Sequence, residues 1–131
     1  MDALMELFGY RRWSVEFVIP IKTISVTNAR EFWRVRAKRA KAERVSARDA
    51  FFANASWARV QTGEFEGALR ITLTRLATHK LDSDNLAGAC KSVRDGIADA
   101  LGMDDGDELL TWEYAQEKAK EYGVRVKIEA L

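Results

Sequence analysis

The chain has 131 residues, 47% of them apolar and 31% charged, which suits one compact domain with a buried core and leaves little room for two. Its formal net charge is +1, and no apolar run approaches the roughly 20 residues that span a bilayer. One cysteine and one histidine exclude an internal disulfide and the familiar Cys/His zinc sites, and residues 1–12 carry Asp2 and Glu6 without the basic start of a secretory signal, so a cytoplasmic protein with no membrane partner is expected.

In chain order, Trp13, Val15, Phe17 and Ile19 alternate with Ser14 and Glu16, which predicts a strand running into Pro20. A polar connection from Lys22 to Asn28 follows, with Asn28 placed to cap a helix. From Ala29 to about Gln61 strong helix formers run without Gly or Pro, predicting a long helix with a bend or break near Ser46, and Gly63 and Gly67 bracket a loop. Leu69, Ile71 and Leu73 then alternate with Arg70, Thr72 and Thr74 in a second strand.

Leu86 to Leu101 reads as one helix, because Leu86, Ala89, Cys90, Val93, Ile97, Ala100 and Leu101 recur at three- and four-residue spacing. Gly102 stands where a left-handed terminator is wanted. An acidic loop, Asp104 to Glu108, leads to a strand through Leu110, Trp112 and Tyr114, and Val124, Val126 and Ile128 mark the last strand. The order β-α-β-α-β-β predicts an α/β (α+β) fold: a single domain over residues 1–131, with a four-stranded mixed sheet covered by two main helices.

The net charge hides an asymmetry. Residues 1–80 hold 15 Lys and Arg against 8 Asp and Glu, a net of +7, whereas residues 81–131 hold 6 against 12, a net of −6. Such a division suits a polyanion held by the basic half, or two halves that neutralise each other. Between Ala29 and Ala55 lie Arg30, Arg34, Arg36, Lys38, Arg39, Lys41, Arg44 and Arg48 against Glu31, Glu43 and Asp49, a net of +5. That density suits a phosphate backbone, with a solvated charged face as the plain alternative. Phe32, Trp33, Ala37 and Ala40 would form the stripe that anchors this helix, and Trp33 and Trp57 read as packing residues.

Chemistry concentrates in Leu81-Asp82-Ser83-Asp84-Asn85-Leu86, followed by Lys91, Asp95 and the pair Asp104-Asp105. On a continuous helix Asp84 and Lys91 lie about 20° apart, and Asp95 stays on that face, opposite the apolar stripe. Hard carboxylate oxygens are what Mg²⁺ prefers, and a neighbouring ammonium would hold a phosphate. Taken singly, each member has a plainer role. Asp84-Asn85 suits a helix cap, Lys91-Asp95 a surface ion pair, and Asp104 to Asp107 a solvated turn. An EF-hand fits poorly, since Leu86 and Ala87 fall at its fifth and sixth loop positions. Cys90 lies on the apolar stripe as inert core, and His79 is placed at a strand end.

The run Leu-Asp-Ser-Asp-Asn-Leu, the lysine and aspartate four apart and the later Asp-Asp pair resemble the RusA family of Holliday junction resolvases, most closely its prophage-type members. The likeness is specific from about Leu69 to Ile128. It implies a small homodimer that uses Mg²⁺, with Mn²⁺ an acceptable substitute, to nick paired strands of branched DNA at a four-way junction. On this resemblance the metal ligands fall on Asp82, Asp84 and Asp105 and the functional lysine on Lys91. DNA contacts fall on Asn85 and Lys91 and, from the basic helix, on Arg30, Arg34, Lys38 and Lys41. In better-known members the lysine lies one helical turn beyond the second aspartate, where this chain has Gly88. Lys91 is about 10 Å along the axis instead. A branched-DNA-binding protein without catalysis, and a fold whose charged halves merely pair, are the other readings.

Overall fold

The computed structural model describes residues 13–24, 32–65 and 67–131, with 57–65 described by backbone only. The elements are β1 (Ser14–Ile19), α1 (Trp33–Phe65), β2 (Leu69–Ala77), α2 (Ser83–Ala89), α3 (Lys91–Leu101), β3 (Leu110–Lys118) and β4 (Gly123–Ala130). The four strands form one mixed sheet in the order β1-β4-β2-β3. β4 runs antiparallel to both β1 and β2, while β2 and β3 are parallel and joined by the α2–α3 crossover.

Alternation decides the two faces. Leu69, Ile71 and Leu73 of β2 lie beside Val126 and Ile128 of β4 and Trp112 and Tyr114 of β3, and this row meets the helices. Phe17 and Ile19 extend it through β1, and Val93, Ile97, Ala100 and Leu101 cover it from α3. The opposite face carries Glu16, Arg70, Glu113, Glu117 and Arg125. Arg125 there reaches Glu117 at 2.9 Å and Glu16 at 3.4 Å.

Three expectations about the helices need correction. The region read as one helix is two, because Cys90 (φ −96°, ψ 2°) leaves helical geometry between α2 and α3. Its N–H is shared between the carbonyls of Leu86 and Ala87 at 3.2 Å each, the tightened turn that closes a helix, and its own carbonyl accepts from Arg94 to start the next. All seven residues of the apolar stripe stay buried across that break, which is why periodicity did not reveal it. Gly102 does terminate α3 in the left-handed region (φ 72°, ψ 29°).

The long helix departs from helical geometry at Ala55 (φ −143°, ψ 22°) rather than near Ser46, and it continues through Gly63 to Phe65. Its anchor is also misplaced in the sequence reading. Ala47, Phe51 and Ala55 are fully buried, whereas Phe32, Trp33 and Ala37 are exposed. The helix meets the body only from Arg36 onward, where Arg36, Arg39 and Ala40 lie beside Gly88, Ala89 and Ser92, so its first residues overhang. Asn28 and Arg30 lie outside the described residues, as do the side chain of Trp57 and residues 1–12.

α1 and α3 meet at close range. A Cβ on Gly96 would collide with the Arg44 carbonyl oxygen and stand 2.7 Å from the Ala47 Cβ. Beside this contact the Arg44 guanidinium holds both carboxylate oxygens of Asp99, through Nε and through Nη2 at 2.7 Å. Gly96→Ala is therefore expected to destabilise the fold by about 1–3 kcal/mol, read from a urea midpoint, because backbone must move to admit the methyl. The hydrogen bonds from Arg44 hold the Asp99 carboxyl below its ordinary value. The stability this confers is complete above the usual aspartate range and disappears as pH falls through the lowered value. The urea midpoints of the wild type and Asp99→Asn should differ at neutral pH, by about 1 kcal/mol at most for so exposed a pair, and converge in acid.

Candidate functional site

Helix α3 presents Lys91 and Arg94 from its first turn towards the loop that precedes β3. Lys91 Nζ donates to Asp95 Oδ1 at 2.7 Å, one turn on, and to Asp105 Oδ2 at 2.9 Å, across the loop. Arg94 grips the same residue twice: Nε donates to Asp105 Oδ2 at 3.0 Å and Nη2 to the Asp105 carbonyl at 3.1 Å. That carbonyl also accepts from Trp112 Nε1 at 2.8 Å. Arg94 is itself fixed by Nη1 donating to the Tyr114 hydroxyl at 2.8 Å and by stacking 4.8 Å over the Trp112 ring.

The electrostatic consequence is a carboxylate held ionised. Hydrogen bonding from Lys91, then the charges of Lys91 and Arg94, pull the Asp105 carboxyl below its ordinary range. Hydrogen bonds to Asp95 and then Asp105 raise Lys91 above the usual lysine value. Lys91 remains more than half exposed, and two of its three N–H donors are engaged, so one faces solvent.

The two aspartates of the Asp104-Asp105 pair have different work. Asp104 Oδ1 accepts from the Gly106 N–H at 3.0 Å and shapes the turn, while Asp105 faces α3. Asp107 likewise closes its own turn, accepting from the Leu109 N–H at 2.9 Å.

Asp82 and Asp84 sit at the other end of the crossover. Asp82 occupies the N-cap position of α2 in an extended conformation but makes no side-chain capping bond, and Asp84 lies in the first turn. Asp84-Asn85, expected to cap the helix, instead lies within its first turn, past the N-cap position. Asn85 contributes its backbone N–H to the Asp82 carbonyl at 3.0 Å. The segment is tied to β3 by Gln116, whose amide accepts from the Leu81 N–H at 2.9 Å and donates to the Leu81 carbonyl at 2.7 Å.

These anchors set the spacing of the site. Trp112, Tyr114 and Gln116 share one face of β3, and four residues of strand separate the first from the last, about 13 Å. The structure therefore brings Lys91, Asp95 and Asp105 together but leaves Asp82 and Asp84 as a separate group. Among the described residues no three acidic, histidine or cysteine side chains are gathered closely enough to hold a metal ion. The donor chemistry of Asp82, Asp84 and Asp105 suits a hard dication, but their placement does not assemble one set of ligands. The expectation of one helical face shared by Asp84 and Lys91 also fails, since the break at Cys90 lies between them.

Of the DNA-binding candidates in the described residues, Arg34, Lys38 and Lys41 are exposed on α1, and no salt bridge engages them. Cys90 is fully buried, and burial pushes its thiol up to about 11, so it stays protonated at neutral pH. His79 is exposed after β2, its carbonyl receiving the guanidinium of buried Arg75 at 2.8 Å. Arg94 and Gln116 are the participants that sequence reasoning missed. Arg94 follows Lys91 by three residues, and Gln116 continues the alternation of Trp112 and Tyr114.

No helix among the described residues is long and apolar enough to cross a membrane. Comparison with protein-family models and with curated proteins finds no match to the sequence.

Removing the Gln116 amide should release the start of α2. Gln116→Ala is expected to speed amide hydrogen exchange at residues 81–85 and to lower stability by about 1–2 kcal/mol, whereas unchanged exchange there would show that Gln116 does not hold the motif.

Proposed function

We propose that this chain is a metal-dependent, structure-selective endodeoxyribonuclease of the RusA type, acting in the cytoplasm as a homodimer to resolve four-way DNA junctions by paired phosphodiester hydrolysis. The observation that carries this reading is the 2.9 Å contact between Lys91 and Asp105. These residues are fourteen positions apart, and the resemblance singles out both, one as the functional lysine and one as the later acidic ligand. Their meeting supports a common site better than it supports two solvated loops.

Asp82, Asp84 and Asp105 would hold Mg²⁺, or Mn²⁺ in its place, which supplies an acidified water and neutralises charge on the phosphate. One ion engaging all three carboxylates would require the Asp105 loop and the start of α2 to close on each other, since their anchors on β3 lie four residues apart. Lys91 has one N–H donor left for a phosphate oxygen. Arg94 is a positioning residue, since it holds the Asp105 carbonyl in place. Asn85 keeps the Asp82-to-Asp84 turn closed. Arg34, Lys38 and Lys41 hold phosphates of the arms, with Arg30 assigned the same role from sequence. One site cuts one strand, so paired incision calls for two copies, and a two-fold dimer matches the symmetry of the junction.

One observation favours the alternative, a branched-DNA-binding protein without catalysis. The Asp105 carboxylate already accepts from two cations and needs no metal for charge balance.

Incision of a four-way junction separates the two. With Mg²⁺ the wild-type chain is expected to nick the junction in paired strands, and Asp82→Asn to slow nicking about 100-fold or more while binding persists. Unchanged nicking by the variant would remove the ligand assignment. Junction binding in EDTA, with no incision under Mg²⁺ or Mn²⁺, would establish the alternative.

A further inference from the structure

The start of α1 leaves several large apolar side chains exposed. Phe32, Trp33 and Val35 are 83%, 72% and 53% exposed, while Arg36 turns toward a cleft beside Gly88 and Ala89. The aromatic pair is held in place by the helix itself, because the Phe32 carbonyl accepts from the N–H groups of Val35 and Arg36 at 3.0 and 3.1 Å. The Arg34 guanidinium lies 5.3 Å over the Trp33 ring. Residues 32–38 contain Arg34, Arg36 and Lys38 and no acidic residue.

Large exposed apolar groups mark a contact surface, and the charge around these selects the partner. An apolar protein partner would leave Arg34 and Lys38 without counter-charges, whereas a polyanion with open π-faces satisfies both sets at once. Nucleic acid has that chemistry, but an unbroken duplex keeps its base faces stacked against one another. A branch point exposes the faces of the base pairs that end each arm, and aromatic side chains stack on such faces without regard to sequence.

We infer that the overhanging end of α1 is the branch-reading element of this protein: Trp33 and Phe32 stack on base pairs exposed at a DNA branch while Arg34 and Lys38 bind the flanking phosphates. This rests on the branched-DNA reading above and is independent of whether the chain cuts. It assigns to an aromatic pair a selectivity for branched over linear DNA that cations alone do not confer, because cations contact phosphates equally in both.

The test measures affinity of the full chain, in EDTA, for a four-way junction and for a linear duplex of the same arm sequence. Trp33→Ala is expected to weaken junction binding about tenfold and leave duplex binding unchanged, with Trp33→Phe restoring most of the loss. Lys38→Ala is expected to weaken both alike. A 2-aminopurine placed at the branch should be quenched by the wild type and not by Trp33→Ala. Equal loss on both DNAs, no loss on either, or a wild-type dimer that sedimentation shows falling apart in Trp33→Ala would each overturn the inference, the last by making the patch a contact between copies. A wild type that binds junction no better than duplex would overturn the branched-DNA reading itself, and this inference with it.

Discussion

One face of β3 holds the candidate site together. Trp112, Tyr114 and Gln116 stand in a row on that face, and each fixes a segment that would otherwise be a surface loop or a helix end. Trp112 takes the carbonyl of Asp105, Tyr114 takes the guanidinium of Arg94, and Gln116 takes both backbone groups of Leu81. The row also spaces the two segments: the Asp82 segment and the Asp105 segment are tied to strand residues four apart, so the site consists of two tethered groups.

The cations of the molecule divide along the same lines. Arg44 is committed to Asp99 and to the contact between α1 and α3, Arg70 to Glu113 and Glu129, and Arg125 to Glu16 and Glu117. Several of these pairs cross between the basic and acidic halves of the sequence, so part of the charge asymmetry is resolved within the fold. Arg34, Lys38 and Lys41 are not consumed in this way. What the fold leaves over is three exposed cations on α1 and, on another element, a carboxylate clamped by two cations.

The strands were legible because alternation of Val15, Phe17 and Ile19, or of Val124, Val126 and Ile128, reports a sheet with one covered face. The buried stripe from Leu86 to Leu101 was legible for the same reason, yet it concealed the break at Cys90: a single residue out of helical geometry leaves every stripe member on the core side. The anchor of α1 was misread because periodicity says which face of a helix is apolar and not how much of its length meets a sheet. Within the site, Lys91–Asp95 follows from helical spacing alone. The bonds to Asp105 and the Gln116 tether depend on where the crossover returns, and local pattern carries no record of that.

The proposed activity requires the Asp82–Asp84 turn and Asp105 to act as one ion-binding unit once a divalent cation arrives. Titrating the ¹⁵N-labelled chain with substoichiometric Mn²⁺ and following paramagnetic broadening of its amide signals tests this directly. Amides at residues 82–85 and 104–106 are expected to broaden together, with excess Mg²⁺ restoring both. Broadening confined to residues 104–108, with the Asp82 turn untouched, would contradict it.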